Sequence, residues 1–530
     1  MPLTKMNISR RKKIRRALLS FVHASVLSLI GLLLFAFQNC SKFSTSSDPL
    51  DAKRTSEFCS DCVSFQVSAP VAVFWPTAST QSLILPDNLF NVLVTPNGML
   101  GYIADLSTYV IKSADLLSLS LNSFSGTPVI GAGTIGQFDE CGAWIHGADM
   151  NGSTVYAWYH AEAGYCHNEG ANAHTIKSIG FAQSTDGGLT FTKPAYPDNI
   201  IISDTASAIA AASPSQPAGN GDFSVVKVGS YYYVFFINTS LGNSSVARAS
   251  IASNGAPGSW NKWFNGSFSE PGVGGQTSLI GATLGGVSYN TKLNMFVGPT
   301  YQDQNGVGFQ LGFSPDATTW TVPAGPLIPG GHLWSQSQDT SHGYSGYPSI
   351  IAADGSKNWT DSFYLYYMYI RPGDNSGHRF LLRSKVTMTV ASSPLTAPRV
   401  TTDLIRYASP SSGRHWVTSE LAVPMQGNWD FASEGRLGGV FTNPSDGLIE
   451  LEDCVYGGIN YMITIAGSGE CTGAATVLRP IGWIYSPSTK QPEGTHAIFR
   501  CSTSGGDHFA SNDPDCEGQS VDAMLGFAIN

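Results

Sequence analysis

GDFSVVKVGSYYYVFFINTS, Gly221–Ser240, holds two apolar, aromatic-rich runs separated by Gly229-Ser230. Runs of this length joined by a Gly-containing turn predict an antiparallel hairpin. An outer strand follows in SSVARASIASNGAPGSW, Ser244–Trp260, and the same theme recurs on both sides. Further inner pairs are centred on the turn signals at Pro96-Asn97-Gly98, Asn151-Gly152, Asn290-Thr291 and Asp354-Gly355. Their outer partners begin near Tyr109, Ile179, Phe309 and Arg379. Five such units, placed in 67–400 and free of long helical periodicity, predict an all-β chain folded as a five-bladed β-propeller, which protects strand edges by radial repetition. The alternative is a sixth blade drawn from Asp48 to Thr80. A β-sandwich leaves the recurring outer strand unexplained.

After Thr401 the pattern changes. The segments around Arg406–Gly438, Asp453–Gly482 and Arg500–Gly526 are three copies of one unit, with Gly438, Gly482 and Gly526 spaced 44 residues apart. The unit resembles a short repeat appended to many secreted bacterial proteins, with His-Trp or His-Phe followed by Glu-Gly. Its second copy departs from that pattern, with Asn460-Tyr461 in place of His-Trp and Arg479-Pro480 interrupting the Glu-Gly region. Residues 401–530 are therefore expected to close into a three-fold, trefoil-like β module. Trp416, Tyr461 and Phe509 occupy equivalent places, with His415 and His508 beside two of them, and a recurring aromatic points first to the core.

The N-terminus reads as targeting sequence. Seven basic residues from Lys5 to Arg16 precede an apolar run, Ala17–Phe37, and then Cys40. This resembles a bacterial lipoprotein signal, which implies lipidation at Cys40, residues 41–66 as a linker, and a Gram-negative envelope location at the outer membrane or cell surface. An uncleaved membrane anchor is the alternative. Removing 7 of the 29 basic residues leaves 22 against 38 acidic, a net charge of −16, which excludes a nucleic-acid partner. A monomer is expected. Eight cysteines remain beyond Cys40, an even number in an oxidising compartment. Sequence neighbours suggest the pairs Cys59–Cys62, Cys141–Cys166, Cys454–Cys471 and Cys501–Cys516.

Ser184, Asp186, Gly188, Thr190 and Phe191 fit the spacing S-x-D-x-G-x-T-W with Phe for Trp. This resembles the Asp-box of sialidases and other propeller proteins. A sialidase holds its substrate carboxylate with an arginine triad, yet between Thr55 and Ile370 the only arginine is Arg248, and Arg371, Arg379 and Arg383 crowd into one unit. The sialidase reading is excluded, and Asp186 is expected to accept backbone N–H bonds in a tight turn. The blade opening GDFSVVKVGSYYYVFF instead resembles the five-bladed propeller glycosidases that include arabinanases, β-xylosidases and fructan-cleaving enzymes. That resemblance implies carboxylates at the axial mouth, on the first strands of different blades.

Glycoside cleavage needs two carboxyl groups flanking the bond. Asp222 opens the third unit. His146 and Asp149 lie in the second, as do His160 and Glu162, which share a strand face by period-two alternation. The leading catalytic candidates are Asp222 and Glu162, with His146 and His160 as orienting groups. The first unit offers only Asp87, and Glu270, Asp303, Asp339 and His342 lie in later loops. Trp144, Trp158, Tyr231 and Tyr347, with Asp149 and Asp339, are the candidates for holding a sugar. No cofactor and no metal is expected, and no D-x-D-x-D-G loop supports a structural Ca²⁺. The expectation is an exported lipoprotein whose propeller binds, and in its fuller form hydrolyses, carbohydrate. The alternative is a non-catalytic binder of glycan or protein.

Overall fold

The computed structural model describes residues 58–77, 80, 82–166, 175–211, 217–300, 309–323, 327, 344–370, 378–395, 400–419, 431–457, 460–473 and 475–530. The leader with Cys40, and the loop candidates Asp303, Asp339 and His342, lie outside them. Within this set the chain is nearly all strand, with one six-residue α-helix, Ala206–Ala211.

The predicted hairpins form where the turn signals place them. Blade 1 runs Asn91–Thr95, Gly98–Ala104, Thr108–Ser113 and Phe124–Ile130 from the inside outward. Blade 2 is Gly142–Asn151, Thr154–Ala163, Ile176–Ser184 and Ile200–Ile202. Blade 3 is Ala218–Val228, Tyr231–Asn238, Asn243–Ser250 and Asn261–Phe264, with Ser267–Pro271 added at its edge. Blade 4 comprises Ser288–Asn290, Met295–Thr300 and Gln310–Ser314, and blade 5 begins with Tyr344–Ile351, Ser362–Ile370 and Phe380–Val390. The blades touch in order around a ring, 1 to 2 to 3 to 4 to 5 and back to 1, through their innermost strands except that blade 4 meets Tyr344–Ile351 through Met295–Thr300 and a bridge from Gly286 to Ser349. The architecture is a five-bladed β-propeller.

The sixth-blade alternative is corrected by the pairing of the N-terminal strands. Val63–Val67 and Val71–Phe74 both pair with Phe380–Val390, so the start of the chain completes blade 5. A ring needs its first and last blades joined, and an outer strand from the opposite terminus does this without leaving a free edge. Val63–Val67 also pairs in parallel with Val400–Ser409, which carries the sheet on into the C-terminal module.

The core lies between blades rather than in one centre. Trp158, Phe181, Phe223 and Trp260 fill the seam of blades 2 and 3, while Tyr102, Ile145 and Tyr159 fill that of blades 1 and 2. Each such side chain, fully buried, contributes on the order of 2–3 kcal/mol. The turn at Ser184–Phe191 is tied as its residue types predict. Asp186 accepts from the Leu189 and Thr190 amides and the Thr190 hydroxyl. Those bonds, with one from Ser184, outweigh the opposing effect of burial and hold its carboxyl at about 2. Asp316 makes a one-residue-shorter version of this turn in blade 4, accepting from the Thr318 and Thr319 amides.

The module repeats a long strand, a short strand and a bulged return strand. These are Val400–Ser409, Arg414–Thr418 and Ala432–Phe441, then Leu448–Tyr456, Asn460–Ile465 and Ala475–Tyr485, then Thr495–Ser502, His508–Ser511 and Ser520–Ile529. Register shifts recur at matching places in each copy. The three short strands contact one another about a common axis, and equivalent residues of the three copies, Leu404, Leu451 and Ile498 with Val440, Ile484 and Ala528, form the shared core. Trp416 and Tyr461 pack on each other in the cluster that also holds Phe65 and Val400, and Phe509 packs against the Cys501–Cys516 disulfide. All four expected disulfides form.

Candidate functional site

Inner strands of blades 2, 3 and 5 share one irregularity near their N-terminal ends. The ladder is bulged between Ile145 and Gly147, between Gly221 and Ser224, and between Gly346 and Ser349. A bulge re-aims the side chain it carries. Asp222 and Tyr347 sit in these bulges with φ of 43° and 52°, a conformation that costs a non-glycine residue on the order of 1 kcal/mol or more and clusters at functional sites. His146 occupies the matching bulge of blade 2.

Gly221 makes the next contact possible. A Cβ there would stand 2.5 Å from His160 Nδ1. Without it the Asp222 amide donates to His160 Nδ1 at 3.1 Å. That bond fixes the tautomer, so His160 Nε2 carries the proton and donates to Glu162 Oε1 at 3.1 Å. Lys177 opens the next strand of blade 2, and Gly219 pairs beside it. Its Nζ donates to Asp222 Oδ2 at 2.5 Å and lies 3.6 Å from Glu162 Oε1. One ammonium therefore bridges the two carboxylates.

A second charged pair comes from blades 1 and 5. Asp87 Oδ1 accepts from Tyr347 at 3.0 Å and from Arg379 Nη1. Tyr347 joins the halves, because burial, then Asp87 and Asp222, push its hydroxyl well up. Tyr165 faces Glu162, and burial together with that carboxylate raises it likewise. Side-chain exposures of 12% for Arg379, 16% for Lys177 and Glu162, 23% for Asp222 and 25% for Asp87 mark the lining of an opening rather than a sealed core. Blade 4 brings Gly285 and Gly286 against blade 5, where a Cβ on Gly286 would meet Ser349 Oγ at 2.7 Å.

The charge states follow from these contacts. Burial raises the Asp222 carboxyl, but Lys177 and His160 pull it further down, well below the usual carboxylate range. Burial raises Glu162 too, and the bond from His160 with the Lys177 charge reverses that. Burial lowers Lys177, yet Asp222 and Glu162 hold its ammonium above the usual lysine value. His146 is buried against Phe223, whose carbonyl oxygen and amide lie 2.9 and 3.3 Å from Nδ1, and burial then His160 depress it to about 3. At neutral pH both carboxylates are ionised, Lys177 is charged and His146 is neutral.

Among the residues singled out from sequence, the structure brings Asp222, Glu162, His160 and His146 together, with Trp144 5.3 Å from the His160 ring and Tyr347 across the mouth. Three others lie elsewhere. Trp158 is buried in the seam of blades 2 and 3, where its indole donates to the Gly255 carbonyl. Asp149 accepts from Lys227 and Tyr232 near the far end of its strand, and Tyr231 lies under Arg248 at the far hairpin turn. Period-two reasoning gives a residue's face but not its height along the blade. Glu270 sits on the edge strand of blade 3 and accepts from the Gln276 amide. Lys177 and Arg379 were not singled out. Lys177 was detectable as the lone charge in the strand opening IKSIGFA.

The one group of potential metal ligands among the described residues is Glu452 with Cys454 and Cys471, and both cysteines are consumed by their disulfide. No helix among the described residues is long and apolar enough to cross a membrane.

No protein-family model and no curated protein matches the chain. Solved structures share its outline. The catalytic domain of a Coprinopsis cinerea family 62 α-L-arabinofuranosidase aligns at 13% identity over 61% of this chain and 98% of its own, with a TM-score of 0.38. A thermostable family 43 glycoside hydrolase aligns at 12% over 59% and 96%, TM-score 0.36. Zg3597, a family 117 glycoside hydrolase of Zobellia galactanivorans, aligns at 8% over 64% and 96%, TM-score 0.38. At these values no residue's role is taken from them.

Proposed function

We propose that the chain is a lipid-anchored envelope protein, attached through Cys40, whose propeller binds carbohydrate at the mouth formed by Asp87, Glu162, Lys177, Asp222, Tyr347 and Arg379. The observation that carries this reading is the convergence of five charged side chains from blades 1, 2, 3 and 5 at the N-terminal ends of inner strands. Charge at the centre of a propeller is costly unless paired. These groups are paired, partly open and set beside the half-buried rings of Tyr165 and Tyr347, while Trp144 is buried beneath them; charged groups next to aromatic faces suit a polyol with flat faces.

Binding without turnover is favoured over hydrolysis by the charge states. A glycosidase needs one carboxyl kept protonated near neutral pH as the acid, whereas Asp222 and Glu162 are both held below their ordinary values. The proximity of the two carboxylates through Lys177 is what supports hydrolysis as the second reading.

The test uses the full chain purified in detergent on a broad glycan array, with Asp222→Asn and Glu162→Gln beside it. Binding that both variants lose while remaining folded supports the reading; silence across the array, or binding indifferent to both, overturns it. Turnover of aryl-glycosides or polysaccharides by the parent, lost in both variants, would establish the hydrolytic reading instead. Anchoring is tested separately by Cys40→Ala, which is expected to move the chain out of the membrane fraction.

A further inference from the structure

Resting on that reading, the balance of donors and acceptors in the mouth specifies the ligand further. Among the described residues three carboxylates, Asp87, Glu162 and Asp222, face two cations, Lys177 and Arg379, and Asp105 is within electrostatic reach of Asp87 and Arg379. Both cations are already committed. Lys177 donates to Asp222 beside Glu162, and Arg379 donates to Asp87 and to the Pro86 carbonyl. The acceptors are not used up. Asp222 engages Lys177 through Oδ2, and Asp87 takes both its bonds on Oδ1, so Asp222 Oδ1 and Asp87 Oδ2 have no hydrogen-bond partner among the described residues.

The floor of the site adds unpartnered groups. His146 is 2% exposed, and its ring stacks on His160 at 5.7 Å. Its Nδ1 meets both the carbonyl and the amide of Phe223, at 2.9 and 3.3 Å, while Nε2 and the nearby Trp144 Nε1 are buried without a hydrogen-bond partner among the described residues. A site with surplus negative charge and surplus acceptors is complementary to a group that only donates and carries positive charge. It is ill-matched to a uronate, sialate or sulfate, whose oxygens would face carboxylates.

We infer that the mouth selects a glycan bearing a primary ammonium, an amino sugar in its free-amine form, with the ammonium held by Asp222 Oδ1 and Asp87 Oδ2 and a neighbouring hydroxyl hydrogen-bonded to His146 Nε2. N-acetylation removes the positive charge, replaces a three-donor group with one donor and one acceptor, and adds bulk.

The experiment is calorimetric titration of the full chain in detergent with glucosamine tetrasaccharide, its fully N-acetylated form, a neutral arabino-oligosaccharide and tetragalacturonate, at pH 6 and low salt. The expected result is at least tenfold tighter binding of the free-amine form than of the acetylated or neutral sugars, and no binding of the galacturonate. Asp87→Asn and Asp222→Asn should each weaken the amine form about tenfold and narrow that preference. His146→Phe should weaken all the sugars alike.

Equal affinity for amine and acetylated forms overturns the ammonium assignment while leaving the mouth as a glycan site. Amine binding unchanged in both Asn variants marks adsorption to an acidic surface and also overturns it. So does Ca²⁺ binding that depends on Asp87 and Asp222 with no response to the amine. If none of the four sugars binds and the glycan array is silent, the carbohydrate reading beneath it fails too.

Discussion

The propeller and the C-terminal module are both built from repeated β units around an axis, and both place basic residues, carboxylates and histidines on matching strands. They differ in what happens at the axis. In the module three copies close tightly, and the centre is filled by equivalent apolar residues, Leu404, Leu451 and Ile498 with Val440, Ile484 and Ala528, all buried. Its charged groups are spent on the seams. Arg406 binds Glu434 and Glu517, Arg500 binds Glu470 in a two-pronged contact, and His415 binds Asp507. In the propeller the strand ends near the axis carry Asp87, Glu162, Lys177, Asp222 and Arg379, each partly exposed, around buried His146. Similar residue types thus serve cohesion in one region and, on the reading proposed above, ligand binding in the other.

The strongest way to break this contrast is to damage one axis and read the other. Leu451→Ala removes a fully buried side chain from the module's shared core, so a loss of about 3 kcal/mol is expected. Thermal unfolding should show that loss in the module, while glycan binding at the propeller mouth below the melting temperature stays unchanged. An equal loss of mouth binding would mean that the strand shared between the regions, Val63–Val67, couples the two axes.

Next in size is Lys177→Met. The substitution keeps most of the side-chain volume and leaves Asp222 and Glu162 facing each other without their common cation. Breaking a partly buried pair of this kind costs about 3 kcal/mol. Carbon-detected NMR titration should then find one of the two carboxyls displaced upward, because two carboxylates sharing a site cannot both ionise easily. A pair that titrates as in the parent would show that Lys177 does not set their charge.

The third test sharpens the claim that His146, at the floor of the mouth, is buried in its neutral form. His146 is held at about 3 in the fold and sits near 6.5 when unfolded. The unfolded chain therefore binds more protons between those values, so stability is full above about pH 6.5 and falls as the pH drops toward 3. A loss of order 2–4 kcal/mol across that window is expected in chemical denaturation. His146→Phe should flatten it. Below about pH 4.5 both should also lose the stability of the depressed Glu162 and then Asp222 carboxyls, the parent still more steeply than the variant until about pH 3.

Much of this contrast is legible in the sequence, for physical reasons that also explain what is not. Blade number follows from hairpins that announce themselves by Gly- and Asn-containing turns, and the three-fold module from a fixed glycine spacing. His160 and Glu162 sit two apart on one strand, so alternation alone puts them on one face. Lys177 meets them only through the pairing of Thr154–Ala163 with Ile176–Ser184, where Glu162 stands opposite Lys177. Asp87 and Arg379 are separated by almost the whole ring, and only its closure brings them together. The bulges that turn Asp222 and Tyr347 into the mouth leave no residue signature beyond a nearby glycine. Trp158 and Tyr231 illustrate the reverse error, since an aromatic on an inner strand reads alike whether it lines the mouth, a seam or the far turn.

The smallest expected effect lies at the far end of blade 2, where Asp186 organises the turn first noticed as a sialidase-like motif. Asp186→Ala removes an acceptor for two amides and a hydroxyl at an exposed position. Water replaces much of what is lost, so a cost of about 1–2 kcal/mol is expected in denaturant unfolding. The neighbouring contact should feel it, because Tyr102 of blade 1 donates to the Gly188 carbonyl at 3.0 Å and ties the two blades at this turn. Hydrogen exchange at Leu189 and Thr190 should rise, while exchange at Phe223 and glycan binding at the mouth stay at parent values. A fall in binding as large as that of Asp222→Asn would place the chemistry at the wrong end of the blade.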